Sequence, residues 1–184
     1  MGWQCRPPVF SNLRVQNPFE LCKYLGTWYE IKWYRNRPVT DVWGDYAQLW
    51  DFKDHSERYL RVDGQARRPN ETNCFSFGPW SVDASRGAKM IVKTENNNKG
   101  APVNWPYYVL KTDYYHYALV VYCTSDNYRP NKPCDKQLIL IFSRQKTLAD
   151  KYLKPLIKYV NDYLCVSPGQ LQTTIFQKNP CPVL

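Results

Sequence analysis

The sequence predicts a mainly β fold, an eight-stranded antiparallel up-and-down barrel with one C-terminal α-helix packed on its outside. Short segments with apolar or aromatic residues at every second position recur through the middle of the chain, and clusters of Asn, Asp, Gly and Pro separate them. One later segment has apolar residues three or four positions apart, which is the spacing of an amphipathic helix. Eight strands can close into a barrel without exposed edges, and its interior is about as wide as one small ligand. The predicted architecture is therefore one that binds small molecules.

The first strand is expected to begin at the G-T-W sequence of residues 26–28. The other seven are expected at residues 44–53, 58–66, 74–82, 88–94, 107–111, 117–124 and 136–143. Within the second strand, Tyr46, Gln48 and Trp50 share one face, because side chains alternate along a strand. A hairpin turn is expected at residues 96–99.

The helix is expected at residues 147–164. Its apolar stripe, which is expected to pack on the sheet, consists of Leu148, Tyr152, Leu156, Tyr159 and Tyr163. Thr147 and Asp150 approximate an N-terminal cap, and Pro155 removes a backbone donor, so that a kink is expected there. A short last strand is expected at residues 172–177.

The length of the chain, 184 residues, indicates one domain spanning residues 1–184 with a substantial core. Residues 138–142 form the longest strongly apolar run, which is far too short to cross a bilayer, so no transmembrane segment is expected. No signal peptide is expected ahead of Cys5, so a secreted form is expected to have this sequence as its mature chain, with Met1 either part of it or added to it.

The net charge of +9 raises the question of nucleic-acid binding. The basic residues are scattered, however, and no nucleic-acid motif accompanies them, so no nucleic-acid partner is expected. A solvated basic surface with weak attraction to acidic partners or membranes is the expected role of this charge.

The seven cysteines indicate disulfides in an oxidising compartment, and hence a secreted protein. They lack the paired spacings of zinc sites, so no metal is expected. An odd count leaves one thiol over. The sequence Asn70-Glu71-Thr72 adds an N-glycosylation site, which places Asn70 in a surface loop of a secreted glycoprotein.

Three separated motifs carry a family resemblance. They are the G-x-W sequence at residues 26–28, the T-D-Y sequence Thr112-Asp113-Tyr114, and Arg144 ahead of the predicted helix. Together, and in this order, they resemble the lipocalin family, in particular the group of plasma retinol-binding protein, apolipoprotein D and bilin-binding protein. The resemblance implies an up-and-down lipocalin barrel.

The resemblance implies that these motif residues are structural. Gly26 lets the incoming segment pass closely over the base of the barrel, and Trp28 plugs that base. Arg144 is expected to lie over the indole face of Trp28. Asp113 is expected to accept backbone N–H groups in a tight turn. No catalytic residue is expected among them.

The cysteine positions resemble those of the retinol-binding branch. That branch implies the pairs Cys5–Cys165, Cys74–Cys181 and Cys123–Cys134, whereas the apolipoprotein D and crustacyanin-like branch implies Cys5–Cys123 instead. The first set accounts for six cysteines at once. Cys22 is left over, and it is expected to be a small packed residue or an unpaired thiol, with an intermolecular disulfide as the alternative.

Strand parity, carried through with the resemblance, predicts the side chains that face a ligand. They are Glu30, Lys32, Tyr34, Tyr46, Gln48, Trp50, Leu60, Val62, Phe77, Met90, Val92, Tyr107, Val109, Leu138, Leu140 and Phe142. An aromatic-lined cavity with a few polar groups is expected, with Glu30 and Lys32 pairing with each other or with a polar ligand. A filled core without a ligand is the alternative.

The resemblance implies a secreted transport protein that binds a small hydrophobic conjugated ligand without covalent attachment. The ligand classes are a retinoid, a bilin such as the pigment biliverdin, or a carotenoid, and no further cofactor is required. One alternative is a lipocalin-type enzyme such as a lipid isomerase, for which Cys22 is the only spare thiol. Another is a protein-interaction lipocalin without a dedicated ligand, acting through residues 35–43 and 126–133. A homo-oligomer and a carrier-protein partner both stay open.

Overall fold

The computed structural model describes residues 4–95 and 102–182, so the turn expected at residues 96–99 lies outside the described residues. Eight antiparallel strands form a ring, in which each strand pairs with the next and β1 pairs with both β8 and β2. They are β1 Gly26–Arg35, β2 Gly44–Phe52, β3 Tyr59–Arg67, β4 Cys74–Asp83, β5 Lys89–Glu95, β6 Pro102–Thr112, β7 Tyr117–Cys123 and β8 Gln137–Ser143. The predicted fold class is confirmed.

Two helices accompany the ring in the part of the chain that the structure describes. A short helix α1 spans Leu21–Tyr24, and the long helix α2 spans Asp150–Leu164. Single 3-10 turns occur at Phe10–Asn12 and Pro168–Gln170. The last strand is only the two-residue β9, Gln172–Thr173, which is shorter than the predicted 172–177. No helix in the described part of the chain is long and apolar enough to span a membrane.

Helix α2 packs on the barrel through a stripe that differs in part from the predicted one. Leu156, Val160 and Leu164 are buried, and they recur every four residues. Tyr163 is 63% exposed, because it lies about 100° around the helix from Leu164. The predicted cap is also wrong. The helix begins at Asp150, and Ala149 occupies the N-cap position without a side-chain hydrogen bond.

The base of the barrel is closed by Trp28 and Arg144. Trp28 is completely buried, and its indole N–H donates to the carbonyl of Tyr24 at 2.8 Å. The Arg144 guanidinium lies 3.7 Å from the centre of the indole ring. It also donates to four backbone carbonyls, those of Lys23, Tyr24, Thr27 and Tyr114, at 2.8–3.2 Å. Gly26 has φ of +98°, and a Cβ there would lie 3.3 Å from the guanidinium, so both its conformation and the close approach favour glycine.

The turn between β6 and β7 is held by Asp113. Its Oδ1 atom accepts the backbone N–H groups of Tyr115, His116 and Tyr117 at 2.7–3.1 Å. Partial burial acts to raise the pKa of Asp113, but the backbone N–H groups of His116 and Tyr117 and the His116 ring at 2.7 Å together outweigh it and hold the pKa below its usual range. Asp113 thus has the structural role that the resemblance implies.

Three disulfides fasten the chain, and they are Cys5–Cys165, Cys74–Cys181 and Cys123–Cys134. The pairing is that of the retinol-binding branch, and the competing pair Cys5–Cys123 is wrong. The first two disulfides join segments 160 and 107 positions apart, which strongly constrains the unfolded chain. Cys22 is an exposed free thiol, which agrees with the expected unpaired thiol and not with the packed residue.

The C-terminal segment completes the wall of the barrel. Strands β1 and β2 pair at the base, from Gly26 to Tyr29 on β1. Nearer the open end, β9 pairs with Lys32 and Trp33 of β1, and Ile175 accepts the backbone N–H of Asp45 at 2.9 Å. The tail therefore bridges β1 and β2 where they separate. We call this bridged region the seam, formed by residues 31–33, 44–45 and 172–175.

A buried ion pair anchors the tail beside the seam. Asp45 and Arg67 lie 2.9 Å apart, and their side chains are only 1% and 6% exposed. The second oxygen of Asp45 accepts the backbone N–H of Gln177 at 3.1 Å. Arg67 also donates to the carbonyls of Thr72 and Asn179 at 2.6 Å each. These partners satisfy both charges, which buried ions require.

Candidate functional site

The candidate site is the open end of the barrel, opposite the Trp28 plug. Alternating residues of the strands build one apolar cluster inside the barrel, while a second cluster lies between the barrel wall and α2. Near the open end, a small cavity reaches into the inner cluster between β1, β2 and β8. We call this region the mouth, and its lining includes Glu30, Trp33, Arg35, Trp43, Tyr46 and Leu138.

A bulge in β1 changes which side chains face the mouth. Glu30 pairs with Phe142 and Lys32 pairs with Ile141, so Ile31 is an extra residue between them. The extra residue reverses the alternation along the rest of the strand, and Trp33 and Arg35 take the inward positions. The predictions for Lys32 and Tyr34 are therefore wrong.

Both displaced residues lie outside the barrel. The amine of Lys32 donates to the hydroxyl of Thr173 on the outer surface at 2.6 Å. Tyr34 packs with the cluster beneath α2. The expected pair between Glu30 and Lys32 is consequently not formed across the interior.

A second bulge repositions β4. Phe77 pairs with Gly64 and Trp80 pairs with Val62, so the Gly78-Pro79 sequence is the irregular stretch between them. Phe77 and Trp80 both point inward as a result, with ring centres 5.1 Å apart. Sequence reasoning selected Phe77 and missed Trp80. The Gly-Pro pair inside a strand was the available signal, because proline is confined to edges and bulges.

Aromatic rings fill most of the interior between the base and the mouth. Trp50 contacts Tyr107 at a ring-centre distance of 5.0 Å, and Tyr107 contacts Tyr122 at 5.3 Å. The mouth cavity has a volume of only about 20 Å³. That is room for about one water molecule. A larger ligand must displace side chains at the mouth.

Polar groups form a ladder down one wall of the interior. The indole N–H of Trp50 donates to the Gln48 side-chain oxygen at 3.1 Å, and the Gln48 amide donates to the Tyr46 hydroxyl at 2.9 Å. On the opposite wall, Trp105 packs near Tyr122. Its indole N–H is a buried donor without a hydrogen-bond partner among the described residues. The interior thus offers hydrogen-bonding groups as well as aromatic walls.

Glu30 is the ionisable group buried at the mouth. It is 7% exposed, and Thr174 of the seam donates to its carboxyl at 2.7 Å. Burial raises the pKa of Glu30 to about 7, although the Thr174 hydrogen bond and the positive charge of Arg35 both act to lower it. Burial also raises the pKa of Tyr46, and the nearby Glu30 carboxylate adds to that effect. Tyr46 is therefore a neutral hydroxyl near neutral pH.

The remaining predicted ligand-facing residues lie inside the barrel. Those buried in the inner cluster are Trp50, Leu60, Val62, Met90, Val92, Tyr107, Val109, Leu140 and Phe142. Tyr46 and Leu138 pack against it at the mouth, and Gln48 is 3% exposed. Their contact with a ligand stays a prediction.

Sequence reasoning missed several residues that the structure brings to the site. They are Trp33, Arg35, Trp43, Trp80, Trp105, Tyr122 and Thr174. Trp33, Arg35 and Trp80 follow from the two bulges, and Thr174 comes from the C-terminal tail. Asn70 lies exposed in the loop between β3 and β4, where its glycosylation stays a prediction.

Comparison with known proteins gives relatives over part of the chain. No protein-family model matches it. Over 116 residues the chain is 36% identical to apolipoprotein D of Cavia porcellus. The matched stretch covers 62% of this chain and 57% of that protein. It is 35% identical over 112 residues to apolipoprotein D of Oryctolagus cuniculus, which covers 60% and 55%. The matches thus span little more than half the length of these relatives.

Solved structures show the same fold over most of the chain. Apocrustacyanin C1 superposes with a TM-score of 0.66 at 19% identity, covering 89% of this chain and 83% of that chain. Lobster apocrustacyanin A1 superposes with a TM-score of 0.62 at 20% identity, covering 84% and 78%.

Proposed function

Because this chain is homologous to apolipoprotein D and has the lipocalin fold, we propose that it is a secreted carrier of a small hydrophobic ligand. The ligand binds without covalent attachment at the open end of the barrel. The observation that carries this proposal is the composition of the mouth, where aromatic rings surround a buried carboxyl group and a neutral tyrosine hydroxyl. The three disulfides support secretion, since such bonds persist in oxidising compartments.

The ligand class that fits the mouth is a conjugated molecule with polar ends, such as a bilin. Planar conjugated systems stack on aromatic rings, and Trp43 and Tyr46 are partly buried rings at the entrance. Pyrrole N–H groups can donate to Glu30, and ligand carbonyls can accept from the hydroxyl of Tyr46. A neutral retinoid or a carotenoid makes less use of these groups.

The size of the cavity sets a requirement for binding. Trp43, Tyr46 and Leu138 must move outward to admit a ligand of several rings, because the cavity of about 20 Å³ is too small. All three are only partly buried, so their movement removes less packing than movement of Trp50 or Tyr107 would.

Quenching of intrinsic tryptophan fluorescence tests the proposal. Biliverdin and retinol are titrated separately into the wild type, the mouth variant Tyr46→Ala and the control Tyr163→Ala, whose site is exposed on α2. We expect saturable quenching by biliverdin at one ligand per chain, weakened about tenfold in the mouth variant and unchanged in the control. Tighter binding of retinol than of biliverdin would contradict the polar-ended ligand class.

The filled interior favours a second function, that of a protein-interaction lipocalin without a dedicated ligand. In that case the aromatic residues of the interior serve as an ordinary core. Neither titration would then saturate, and no ligand would raise the melting temperature, whereas any ligand that binds the folded state must raise it.

A further inference from the structure

A cleft with an excess of positive charge lies directly beside the mouth. It has a volume of about 270 Å³ and lies between the end of β1 with the residues that follow it and the adjoining ends of β7 and β8. We call it the basic cleft. Its lining includes Arg35, Asn36, Arg37, Thr124, Lys136 and Gln137.

Hydrogen bonds fix the frame of the basic cleft. The Asn36 side chain donates to the carbonyl of Cys134 and accepts the backbone N–H of Gln137, both at 2.9 Å. The backbone N–H of Asn36 donates to the carbonyl of Gln137 at 3.2 Å. The Cys123–Cys134 disulfide ties the same hairpin. The cationic side chains are therefore mounted on a backbone that is ordered before any ligand arrives.

The charge of the basic cleft is only partly neutralised. Arg35, Arg37 and Lys136 line it, and none of the described residues that line it is acidic. Asp135, next to the cleft, pairs with Arg37 at 3.1 Å, and Arg35 also borders the mouth, which Asp41 lines, so three cations and these two carboxylates leave an excess of one positive charge. Arg37 and Asp135 are both more than half exposed, and the strength of such a surface pair is small.

The basic cleft is continuous with the mouth. Arg35 and Leu138 line both of them. The guanidinium of Arg35 lies 5.8 Å from the ring centre of Trp33, whose indole faces the mouth. A molecule with its rings at the mouth can therefore extend a polar end past Leu138 into the basic cleft.

We propose that the basic cleft is a carboxylate-binding subsite for the ligand held at the mouth. The inference rests on the proposed carrier function and specifies that the ligand is an amphipathic acid. Arg37 and Lys136 bind the carboxylate, and Arg35 lies between the mouth and the basic cleft. Guanidinium and ammonium groups form charge-assisted hydrogen bonds with carboxylates, which are stronger than bonds between neutral groups.

Two pairs of probes, each differing only in the ionised group, test this subsite. They are retinoic acid against retinol, and biliverdin against its dimethyl ester. We expect each acid to bind the wild type about tenfold more tightly than its neutral partner. In the double variant Arg37→Gln/Lys136→Gln this preference should fall to about twofold, with the affinity for the neutral partner unchanged.

The control is Arg61→Gln, which removes an exposed arginine of β3 paired with Asp63 and should keep the full preference for acids. The melting temperature of each variant shows whether folding is intact, and Lys136→Gln alone, at an exposed position, gives a milder second test. Equal affinity for acid and neutral partner in the wild type overturns the subsite while leaving the carrier function standing. Failure of all four probes to bind the wild type overturns the carrier function itself.

Discussion

The hydroxyl of Thr174 donates a 2.7 Å hydrogen bond to the buried carboxyl group of Glu30, 144 positions earlier in the chain. This contact joins the C-terminal tail to the interior of the barrel at the seam. Because burial raises the pKa of Glu30 from 4.5 to about 7, the folded protein binds a proton there that the unfolded chain releases at lower pH.

We expect Glu30 to make the stability depend on pH. Its pKa is higher in the folded state, so between about pH 4.5 and pH 7 the folded chain binds more protons and stability falls as the pH rises. The full cost, about 3 kcal/mol, is present above pH 7. Urea unfolding at pH 5 and pH 8 should show this loss in the wild type, and Glu30→Gln should remove most of it. An equal loss in both proteins would contradict the raised pKa.

Removal of the Arg144 side chain should strongly destabilise the folded protein. Arg144→Ala loses the contact with Trp28 and the hydrogen bonds to four carbonyls, so a loss of about 3–5 kcal/mol in the free energy of unfolding is expected. Arg144→Lys should recover less than half of it, because an ammonium lacks the planar fork. Arg61→Ala, at an exposed pair, is the matched control, with a change below about 1 kcal/mol in chemical denaturation.

We expect the effects of substitutions at Gly64 and Phe77 on the free energy of unfolding to be coupled. A Cβ at Gly64 would lie 1.8 Å from the Phe77 ring, so Gly64→Ala must displace this ring, which stacks on Tyr46 at a ring-centre distance of 5.2 Å. A loss of about 1–3 kcal/mol is expected. In a Phe77→Ala background the same substitution should cost less than about 1 kcal/mol, and a double-mutant cycle measures the difference.

Gly169 provides the control for this cycle. A Cβ there has no heavy atom within 4 Å outside its own chain neighbours, so Gly169→Ala should be nearly neutral in both backgrounds. Additive effects of the changes at Gly64 and Phe77 would show that the ring has room to move.

The bulge in β1 predicts that substitutions at neighbouring positions differ in their effect on ligand binding. Trp33→Ala should weaken ligand binding at the mouth, whereas Lys32→Gln, on the outer surface, should leave it unchanged. Both can be followed by ligand-induced shifts in melting temperature, which do not require tryptophan fluorescence. The reverse order of effects would indicate that β1 keeps a regular alternation.

The base of the barrel could be predicted from the sequence, whereas the mouth could be predicted only in part. Trp28 and Arg144 lie in recognisable motifs, and an indole and a guanidinium are residue types that form a cation–π contact. Strand parity located most of the inner cluster. Parity failed at Lys32 and Tyr34, because Ile31 gives no residue-type signal of a bulge. Rotamers decide how far rings such as Trp50 fill a cavity, and the composition of a strand does not specify them.

No local sequence pattern predicts where the C-terminal tail lies on the barrel. The Thr174 and Glu30 contact depends on where a chain segment settles after eight strands have closed most of the ring. The Asp45 and Arg67 pair is likewise a long-range contact between two strands. Residue types alone do not indicate such partners, since periodicity reports only which face of one strand is buried.

Because the C-terminal tail completes the wall of the barrel, the wall can close only late in the synthesis of the chain. Strands β1–β8 leave the ribosome before residues 172–175, which cover the upper half of β1, and before Cys181, the partner of Cys74. Until then the nascent chain exposes a row of unpaired backbone groups along β1, a template for pairing with other chains. The interval of greatest aggregation risk therefore ends only when the tail docks, and a chaperone that shields this strand edge would act in that interval.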